Sequence, residues 1–407
     1  MIAPEHFAPR LLAWQRAHGR HDLPWQRTRD PYRIWLSEVM LQQTQVTTVI
    51  PYYARFLARC PDVAALAALP DDDVMTLWAG LGYYSRARNL HRCAQQVMTR
   101  FGGRFPENAV DLESLPGIGR STAAAIAAFA FGKHEAILDG NVKRVLARVF
   151  GIDGFPGEKR IETAMWTLAE SLLPMPPRVV PADAVPAASA FMDRAAPRGV
   201  VSAPVVTPTV TPTVAPAEGG EDADDAPADD MSSYTQGLMD LGATLCTRAN
   251  PDCPRCPFAA DCVANLTHRQ RELPTRRPPK VTPTRRTVML ILEAGPYVLL
   301  HRRPPTGVWG GLWSLPEAAD EAQARDVARE FGGRAESISR LTPFVHAFTH
   351  FRLEIAPWRV DCGEPQGGAL LRSPDDPVEW VAWRDLDRYG LPAPVRRMLD
   401  ALHGSLI

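Results

Sequence analysis

The stretch CTRANPDCPRCPFAADC, residues 246–262, decides how this 407-residue chain is interpreted. Its four cysteines are separated by six, two and five residues, and no histidine lies between them. Four thiolates this close together can surround a four-coordinate centre, which is either an iron-sulfur cluster or a structural zinc ion. The stretch therefore predicts a metal-binding loop whose ligands are Cys246, Cys253, Cys256 and Cys262.

The rest of the composition limits where the protein works. Cys60, Cys93 and Cys362 are scattered along the chain, which is typical of a reducing compartment rather than of a disulfide framework. The longest apolar run, Thr122–Phe131, is too short to cross a membrane. The N-terminus lacks the basic start and apolar core of a secretory signal. We therefore expect a cytoplasmic protein without membrane contact.

The net charge of −1 conceals an uneven distribution of charge. Residues 174–233 are rich in Pro, Ala, Val, Thr and Asp, and their acidic residues cluster toward the end of the stretch. Such a composition cannot bury enough apolar surface to fold, so we interpret it as a disordered insertion in an otherwise basic chain. Residues 268–286 combine arginines with prolines. They form a basic linker, which is either a solvated hinge or a segment that contacts phosphates.

Apolar spacing separates a helical first part from a mixed second part. Helical spacing is found at Ile34–Gln43, Val46–Arg59, Asp71–Ala79, Ser85–Phe101, Ser121–Phe131, Val142–Phe150 and Glu158–Leu173. The second part contains the predicted strands Thr287–Leu292, Tyr297–His301, Phe351–Val360 and Val378–Trp383, and one helix, Asp320–Phe331. The sequence thus predicts a multidomain protein. A mainly α-helical unit of residues 1–173 and 234–267 precedes a smaller α+β domain at 287–407.

A glycine-containing turn joins two of the predicted helices, and it consists of Leu115, Pro116, Gly117, Ile118 and Gly119. Glycines let the backbone turn tightly, so that its N–H groups and the start of the next helix can hold a phosphate. Taken alone, this is an ordinary turn. Together with Asp139, twenty residues after Gly119, and with the cysteine loop, it resembles the helix-hairpin-helix DNA glycosylases. That family includes endonuclease III and the MutY-type adenine glycosylases.

This resemblance implies a cofactor and a set of DNA contacts. The cofactor is a [4Fe-4S] cluster on the four cysteines, although the ligands alone also permit zinc. Phosphate contacts are expected from the hairpin, from the start of the following helix, from the basic helix after Asp139 and from the cysteine loop. Besides the five hairpin residues, they are Ser121, Asn141, Lys143, Arg144, Arg248 and Arg255.

Two carboxylates form the expected catalytic pair. Asp139 begins the run DGNV, residues 139–142, and taken alone it is an ordinary helix cap. Cleavage of an N-glycosidic bond builds positive charge on the sugar, which a fixed carboxylate can stabilise or trap covalently. Glu38 lies in WLSEVMLQQTQ, residues 35–45, where it is either solvated or kept protonated by apolar neighbours. The resemblance implies that Glu38 is the general acid that protonates adenine at N7.

Position 121 distinguishes the two reactions of this family. Members that resemble endonuclease III carry a lysine after the arginine of the hairpin, and this lysine forms a Schiff base with the sugar before the strand is nicked. In this chain Ser121 follows Arg120. The sequence therefore predicts a monofunctional enzyme that removes a base by hydrolysis and leaves the abasic strand intact.

A base inside the stack must be extruded before it can be cleaved, so the family needs residues that enter the duplex. By resemblance these residues are Gln42, Gln43, Thr44 and Tyr83. The alternative for Tyr83 is a position in the core. The residues that match the adenine pocket of relatives are Leu23, Trp25 and Gln236.

The second domain resembles the Nudix-like C-terminal domain of the MutY type. Gly311, Glu317 and the run RDVAREFG, residues 325–332, fall at the spacing of the Nudix box, whose glutamates hold magnesium. Asp326 and Arg329 replace two of these glutamates, which argues against a metal-dependent pyrophosphatase. The resemblance instead implies recognition of 8-oxoguanine by Phe348, Thr349 and His350. Alternatively, Phe348 and His350 are alternating residues at the end of a strand.

Taken together, the sequence predicts a monomeric, nucleoid-associated enzyme that acts on double-stranded DNA. The expected substrate is adenine mispaired with 8-oxoguanine, and also with guanine. Three alternatives remain: a bifunctional glycosylase and lyase, a nucleotide pyrophosphatase with a DNA-binding half, and a DNA-binding protein without catalysis. The sequence indicates no particular protein partner.

Overall fold

The computed structural model describes residues 2–175, 230–277, 282–348, 350–363 and 377–403. Most of the segment that the composition predicts to be a disordered insertion lies outside these ranges, but its last four residues, 230–233, form the start of a helix. Residues 278–281 of the predicted linker and Thr349 also lie outside these ranges. Within the described ranges the chain forms fourteen α-helices and eight β-strands.

Twelve of the helices precede the sheet. They are α1 (Pro4–His18), α2 (Pro31–Leu41), α3 (Val46–Arg59), α4 (Val63–Ala68), α5 (Asp71–Trp78), α6 (Ser85–Phe101), α7 (Ala109–Glu113), α8 (Arg120–Phe131), α9 (Gly140–Phe150), α10 (Lys159–Ser171), α11 (Asp230–Asp240) and α12 (Val263–Leu266). The limits predicted for α3 and α6 agree with the structure, and the other five predicted helices differ by one to three residues at an end. Apolar spacing missed α1 and α11, and also the short helices α4, α7 and α12.

The alanine-rich helix α8 separates two apolar clusters of the helical part. Ala123, Ile126 and Ala127 contribute to one cluster, which contains helices α2–α6. Ala124 and Ala128 contribute to the other cluster, which contains α1, α9, α10, α11 and part of the cysteine loop. Because alanine side chains are short, helices can pack closely on both sides of α8. The pocket described below lies where these two halves meet.

The second part is a mixed sheet with one helix on each side. Its strands are β1 (Thr284–Ala294), β2 (Tyr297–Arg302), β3 (Trp313–Ser314), β4 (Glu317–Ala318), β5 (Ile338–Arg340), β6 (Phe344–Ala347), β7 (Arg352–Asp361) and β8 (Val378–Ala382). The helices are α13 (Glu321–Glu330) and α14 (Ala393–His403). The path of the sheet is β3-β2-β1-β7-β5, with β4 on β1, β6 on β7 and β8 on β2. Strands β1 and β7 are parallel, and the other pairings are antiparallel.

Alternating residues of β1 belong to two different apolar clusters. Leu290 and Leu292 pack with α13. Met289 and Ile291 face the other way and join the cluster of helices α2–α6, as expected because successive side chains of a strand point to opposite faces. One continuous apolar core therefore connects the helical part to the sheet.

Polar contacts also cross this boundary. Arg88 of α6 donates to the carbonyl of Gly310 at 2.6 Å, and Arg302 of β2 forms an ion pair with Asp72 of α5. Gly390 lies against the backbone of Met75. These contacts fix the sheet over the turn between α5 and α6. None of the described helices is long and apolar enough to span a membrane.

Candidate active site

A pocket of about 270 Å³ opens between the N-terminal residues, α2 and α11. Trp25, from a short 3₁₀ helix, and Gln236 of α11 both line it. Glu38 projects into the pocket from the last turns of α2. The structure thus brings three of the residues predicted from the sequence to one cavity.

Glu38 is half-buried, and its neighbours Ser37 and Val39 are buried. Burial, and to a smaller extent the charge of Asp139, raise the pKa of Glu38 from its ordinary value of 4.5 to about 8. Desolvation of this kind disfavours the charged form of a carboxyl group. Glu38 is therefore largely protonated at neutral pH and can donate a proton into the pocket.

Asp139 is the N-cap of α9, so the capping role considered for it is real. Its carboxylate accepts a hydrogen bond from the backbone N–H of Val142 at 2.8 Å. Burial raises the pKa of Asp139, whereas the amides of Val142 and Asn141 and the charge of Arg144 act in the opposite direction. Hydrogen bonds from amides and the helix dipole favour a carboxylate. Asp139 can therefore cap the helix and present a negative charge at the same time.

The two carboxyl groups have different surroundings. Every influence on the pKa of Glu38 raises it, whereas burial at Asp139 is opposed by amides and by cations. Two neighbouring carboxyl groups whose environments differ in this way divide into an acid and an anion. The pair can donate a proton to a leaving group and stabilise positive charge at the atom that the group leaves.

A buried polar network behind the pocket was not foreseen from the sequence. The fully buried carboxylate of Asp240 accepts from the backbone N–H of Arg20 at 2.8 Å and from its Nε at 2.7 Å. It also accepts from Nε2 of Gln236 at 2.8 Å, which fixes that amide. The sequence feature that could have indicated this network is the aspartate within the apolar stretch at the end of α11. Leu23, by contrast, packs in the apolar core beside the pocket.

The hairpin turn has the arrangement that its glycines predict. Leu115 and Ile118 are buried and anchor the turn in the core, whereas Gly117 and Gly119 are exposed. Gly117 has a φ of +80°, and Gly119 is the N-cap of α8. The first N–H groups of α8 therefore face away from the core beside half-buried Pro116, where an anion can reach them.

Ser121, in the first turn of α8, has its hydroxyl group turned inward. Its oxygen accepts a hydrogen bond from the backbone N–H of Leu138 at 3.0 Å. This bond connects the start of α8 to the residue that precedes Asp139. Ser121 therefore supports the position of the carboxylate, and it carries no amine that could attack a sugar.

The residues expected to contact DNA after Asp139 differ in accessibility. The ammonium group of Lys143 is paired with Glu162. The guanidinium of Arg144 donates to Oδ1 of Asn141 at 2.8 Å and to the carbonyl of Cys246 at 2.7 Å, so it ties α9 to the cysteine loop. Arg248 and Arg255 of the loop are exposed, and Arg255 is paired with Asp252.

The two segments expected to enter the duplex lie side by side. The loop Gln42–Thr44 follows α2, and Gln43 adopts a left-handed φ of +59°. In the turn before α6, Tyr83 has a φ of +49° and a side chain that is 43% exposed. Tyr83 is therefore not a core aromatic, which answers the alternative that the sequence left open.

The four cysteines of the loop line one small cavity between α9 and the end of α11. Burial raises the pKa of the Cys256 thiol, and the other three cysteines add to this effect because they are close to it. Arg148 donates toward Sγ of Cys246 at 3.4 Å, as expected beside a thiolate. Within the described part of the chain, no three His, Cys, Asp or Glu residues are grouped to hold a single metal ion.

A second cavity, of about 630 Å³, lies between α6 and the sheet. Tyr83 lines it from the helical side, and Phe348 and His350 line it from the other side. Phe348 stacks on Phe351, with ring centroids 4.4 Å apart, and also contacts Trp309. Thr349 lies outside the described residues. The structure thus brings Tyr83 together with two residues that are 265 or more positions away in the sequence.

Two acidic residues of the Nudix box, Glu317 and Asp326, form internal ion pairs. Glu317 is paired with Arg303, and burial raises the pKa of Glu317 although Arg303 opposes this effect. Asp326 is paired with Arg329 on the exposed side of α13. Arginine side chains are thus the partners of these two carboxylates.

Comparisons with known proteins give the same two-part division. Residues 36–171 match the HhH-GPD superfamily of base excision DNA repair proteins, and residues 287–401 match the NUDIX domain. The chain is 30% identical over 397 residues to an adenine DNA glycosylase of Buchnera aphidicola subsp. Baizongia pistaciae (strain Bp). The matched region covers 97% of this chain and 96% of that protein. It is also 30% identical over 410 residues to an adenine DNA glycosylase of Homo sapiens, with coverage of 85% and 65%. Among solved structures, a thermostable thymine-DNA glycosylase has 25% identity and a TM-score of 0.48, and it covers 65% of this chain and 97% of its own.

Proposed function

This chain belongs to the adenine DNA glycosylases, which are base excision repair enzymes that hydrolyse N-glycosidic bonds, and we propose that it acts on adenine mispaired with 8-oxoguanine. Adenine opposite guanine is a second substrate of the same reaction. The observation that carries the proposal is the pair of Glu38, which lines the pocket, and Asp139, whose charge contributes to the raised pKa of Glu38. A helix-hairpin-helix core supplies this pair, and a Nudix-like domain covers the neighbouring cavity.

Glu38 acts first, as the general acid. Its proton moves to N7 of the extruded adenine, so that the bond between C1′ of the sugar and N9 of the base can break with the electron pair on the base. Adenine then leaves as a neutral molecule instead of as an anion. The raised pKa of Glu38 supports this role because the proton is present at neutral pH.

Asp139 acts on the sugar. Its carboxylate stabilises the positive charge that develops at C1′ as the base departs. A water molecule then adds to C1′ and returns one proton to the carboxylate of Glu38. The products are adenine and an abasic strand, and both side chains regain their starting states.

The pocket fits a flat, polar base. Trp25 offers an aromatic wall, and the amide of Gln236 is held by Asp240 so that its remaining polar atoms have a fixed direction. A fixed amide can discriminate between the edges of different bases, because a wrong base leaves its buried polar atoms unpaired. Leu23 supports this wall from the core.

We also propose that the four cysteines hold a [4Fe-4S] cluster. Four thiols around one cavity, with an arginine donating to one of them, fit the donor set of such a cluster. When bound, the cluster cross-links the loop and thereby holds Arg248 and Arg255 at the surface. Iron and sulfide contents of about four each per purified chain are expected from this assignment. One zinc per chain and no sulfide would contradict it.

The cavity between the domains is the proposed site for 8-oxoguanine opposite the adenine. Tyr83 enters the duplex from the helical side, and Phe348 and His350 approach the lesion from the Nudix-like domain. The hydroxyl group of Thr349 completes this set in the proposal. Stacking of Phe348 on Phe351 supports it, because it supplies a rigid aromatic surface.

The proposal is tested by single-turnover cleavage of an end-labelled duplex with adenine opposite 8-oxoguanine. A monofunctional enzyme gives a strand break only after alkali, and borohydride traps no covalent adduct with an abasic duplex. Glu38→Gln and Asp139→Asn should each lower the rate by at least about 100-fold. A strand break without alkali would contradict the monofunctional reaction, and full activity of Glu38→Gln would contradict the assignment of the acid.

A further inference from the structure

Arg86, in the first turn of α6, is only 8% exposed and contacts both segments that are proposed to enter the duplex. Its Nη1 donates to the carbonyl of Gln42 at 2.7 Å and to the carbonyls of Val39 and Met40 at 2.9 and 2.8 Å. Its Nη2 donates to Oγ1 of Thr44 at 3.0 Å. One nitrogen therefore caps the end of α2, and the other reaches the loop after it.

The same Nη2 also reaches the turn that carries Tyr83. It donates to the carbonyls of Leu81 and Gly82 at 3.2 and 3.3 Å. The guanidinium carbon lies 5.1 Å from the ring centre of Trp78 and 5.5 Å from that of Tyr83. A single side chain thus connects two loops that are about 40 residues apart in the sequence.

This guanidinium forms no ion pair with a carboxylate of the described residues. Burial lowers the pKa of Arg86 to about 10, so the group remains charged at neutral pH. Its charge is balanced by the carbonyls at the C-terminus of α2, where the helix dipole is negative. A buried charge that no carboxylate neutralises is costly. Its presence here calls for a role beyond packing.

The two loops share a second feature, which is independent of these hydrogen bonds. Only four residues other than glycine have a left-handed φ in the described part of the chain, and two of them are Gln43 and Tyr83. Each of them is next in the chain to a residue whose oxygen accepts a hydrogen bond from Arg86. Backbone strain of this kind persists only where the surroundings hold the residue firmly. Arg86 provides that support for both residues at once.

We propose that Arg86 is a positioning residue that joins the loop Gln42–Thr44 to the turn Leu81–Tyr83, so that both enter the duplex as one rigid unit. It contacts neither substrate nor the reacting atoms. Extrusion of a base costs a few kcal/mol of stacking, and loops that are already fixed in the bound arrangement do not lose further entropy when they bind. This inference rests on the proposed function, and it identifies the residue that fixes both loops before the base is extruded.

The test uses the full chain in the Glu38→Gln background, which binds without cleaving, and a duplex with fluorescent 2-aminopurine in place of adenine opposite 8-oxoguanine. Emission of 2-aminopurine rises when the base leaves the stack. Arg86→Lys keeps the positive charge but replaces the planar fork by one nitrogen, which cannot hold both loops. We expect at least a fivefold smaller rise in emission at saturation. With Glu38 restored, we expect single-turnover excision to be slower by about 10- to 100-fold.

Arg92→Lys is the matched control, because Arg92 is exposed on the same helix and donates to Asn89 only. Its emission and its excision rate should equal those of the parent protein. A normal rise in emission with Arg86→Lys would overturn the inference. If the parent protein itself gives no rise and the wild type does not excise adenine, the proposed function has failed instead.

A second pair of variants decides the matter if Arg86→Lys does not fold. Thr44→Val removes the hydroxyl acceptor of Arg86, whereas Thr44→Ser keeps it. We expect the extrusion signal of Thr44→Val to be about three- to tenfold lower than that of Thr44→Ser, because only the serine keeps the acceptor. Equal signals from these two variants would overturn the inference.

Discussion

At the scale of single residues, the proposed chemistry depends on Glu38 being protonated while Asp139 is charged. Apolar neighbours of α2 leave Glu38 without solvation, while the start of α9 supplies amides to Asp139. Both are carboxylic acids, so their different roles come from their surroundings alone. This difference gives two predictions that can be measured on the pair itself.

The first prediction concerns the pH dependence of excision. Because Glu38 must be protonated and its pKa is about 8, the single-turnover rate should be constant near neutral pH and fall about tenfold per pH unit above pH 8. At low pH the rate should fall again as Asp139 loses its charge, and this fall should begin above the ordinary range of aspartate because the pKa of Asp139 is raised. A rate that keeps rising through pH 9 would contradict the role of Glu38.

The second prediction concerns stability. The pKa of Glu38 is raised from 4.5 to about 8, so between these values the folded state binds more protons than the unfolded state and stability falls as the pH rises. Glu38→Gln removes this loss. At pH 8 the variant should be more stable by about 1–3 kcal/mol, a value reduced from the full shift because the side chain is half-buried.

Denaturant unfolding at two pH values checks this prediction. The gain from Glu38→Gln should shrink as the pH approaches 4.5 and disappear below it, where the wild-type glutamate is protonated in both states. Glu113→Gln, at an exposed position of α7, is the control and should show no such dependence. An equal gain at both pH values would mean that packing, not ionisation, explains the effect.

At the scale of elements, the hairpin before α8 depends on a glycine. Gly117 has a φ of +80°, and a Cβ atom there would lie 2.7 Å from Cβ of Asn89. An alanine therefore meets both backbone strain and a steric conflict. The turn must move away from α6, and the N–H groups that are proposed to hold a phosphate move with it.

The third prediction follows from this geometry. Gly117→Ala should lower the free energy of unfolding by about 1–3 kcal/mol and weaken the affinity for duplex DNA by about tenfold. Gly295→Ala, in the turn between β1 and β2, is the control. Its φ is +57° and the described residues leave space around it, so it should lose stability through strain but keep its affinity. Fluorescence anisotropy with a labelled duplex measures the difference, and equal affinities would contradict the phosphate role of the hairpin.

At the scale of the whole molecule, the Nudix-like domain is fixed by a shared core. Met289 and Ile291 of the sheet belong to the same apolar cluster as the helices, and Arg302 and Asp72 pair across the boundary. The cavity that brings Tyr83 to Phe348 exists only while the two parts keep this arrangement. Recognition of the lesion should therefore depend on residues of the boundary that never contact DNA.

The fourth prediction tests this dependence at Gly390, which is buried against Met75. A Cβ atom at Gly390 would lie 3.2 Å from the backbone carbon of Met75. Gly390→Val should separate the two parts slightly and lower the preference for 8-oxoguanine over guanine by about tenfold, with a smaller loss for Gly390→Ala. Single-turnover rates on the two mispairs measure the ratio. A uniform loss on both mispairs would indicate general destabilisation instead.

The sequence alone determined the elements and the chemical groups. Helical spacing predicted α3 and α6 with their observed limits, because a long amphipathic pattern is a local property of the chain. The substitution of Ser121, the cysteine spacing and the altered Nudix box are likewise read from neighbouring residues. It did not predict α1, which packs against α11 more than 200 residues later in the chain. It also did not predict α4 and α7, which are too short to form without packing.

Only the tertiary structure decided which of these groups meet. Glu38 and Asp139 are about 100 residues apart in the sequence, and whether they share a site depends on how α2 and α9 pack around α8. The same holds for the carboxylate of Asp240 behind Gln236 and for the guanidinium of Arg86 between two loops. Hydrogen bonds and pKa shifts arise from distances between side chains, and a linear pattern of residues does not contain those distances.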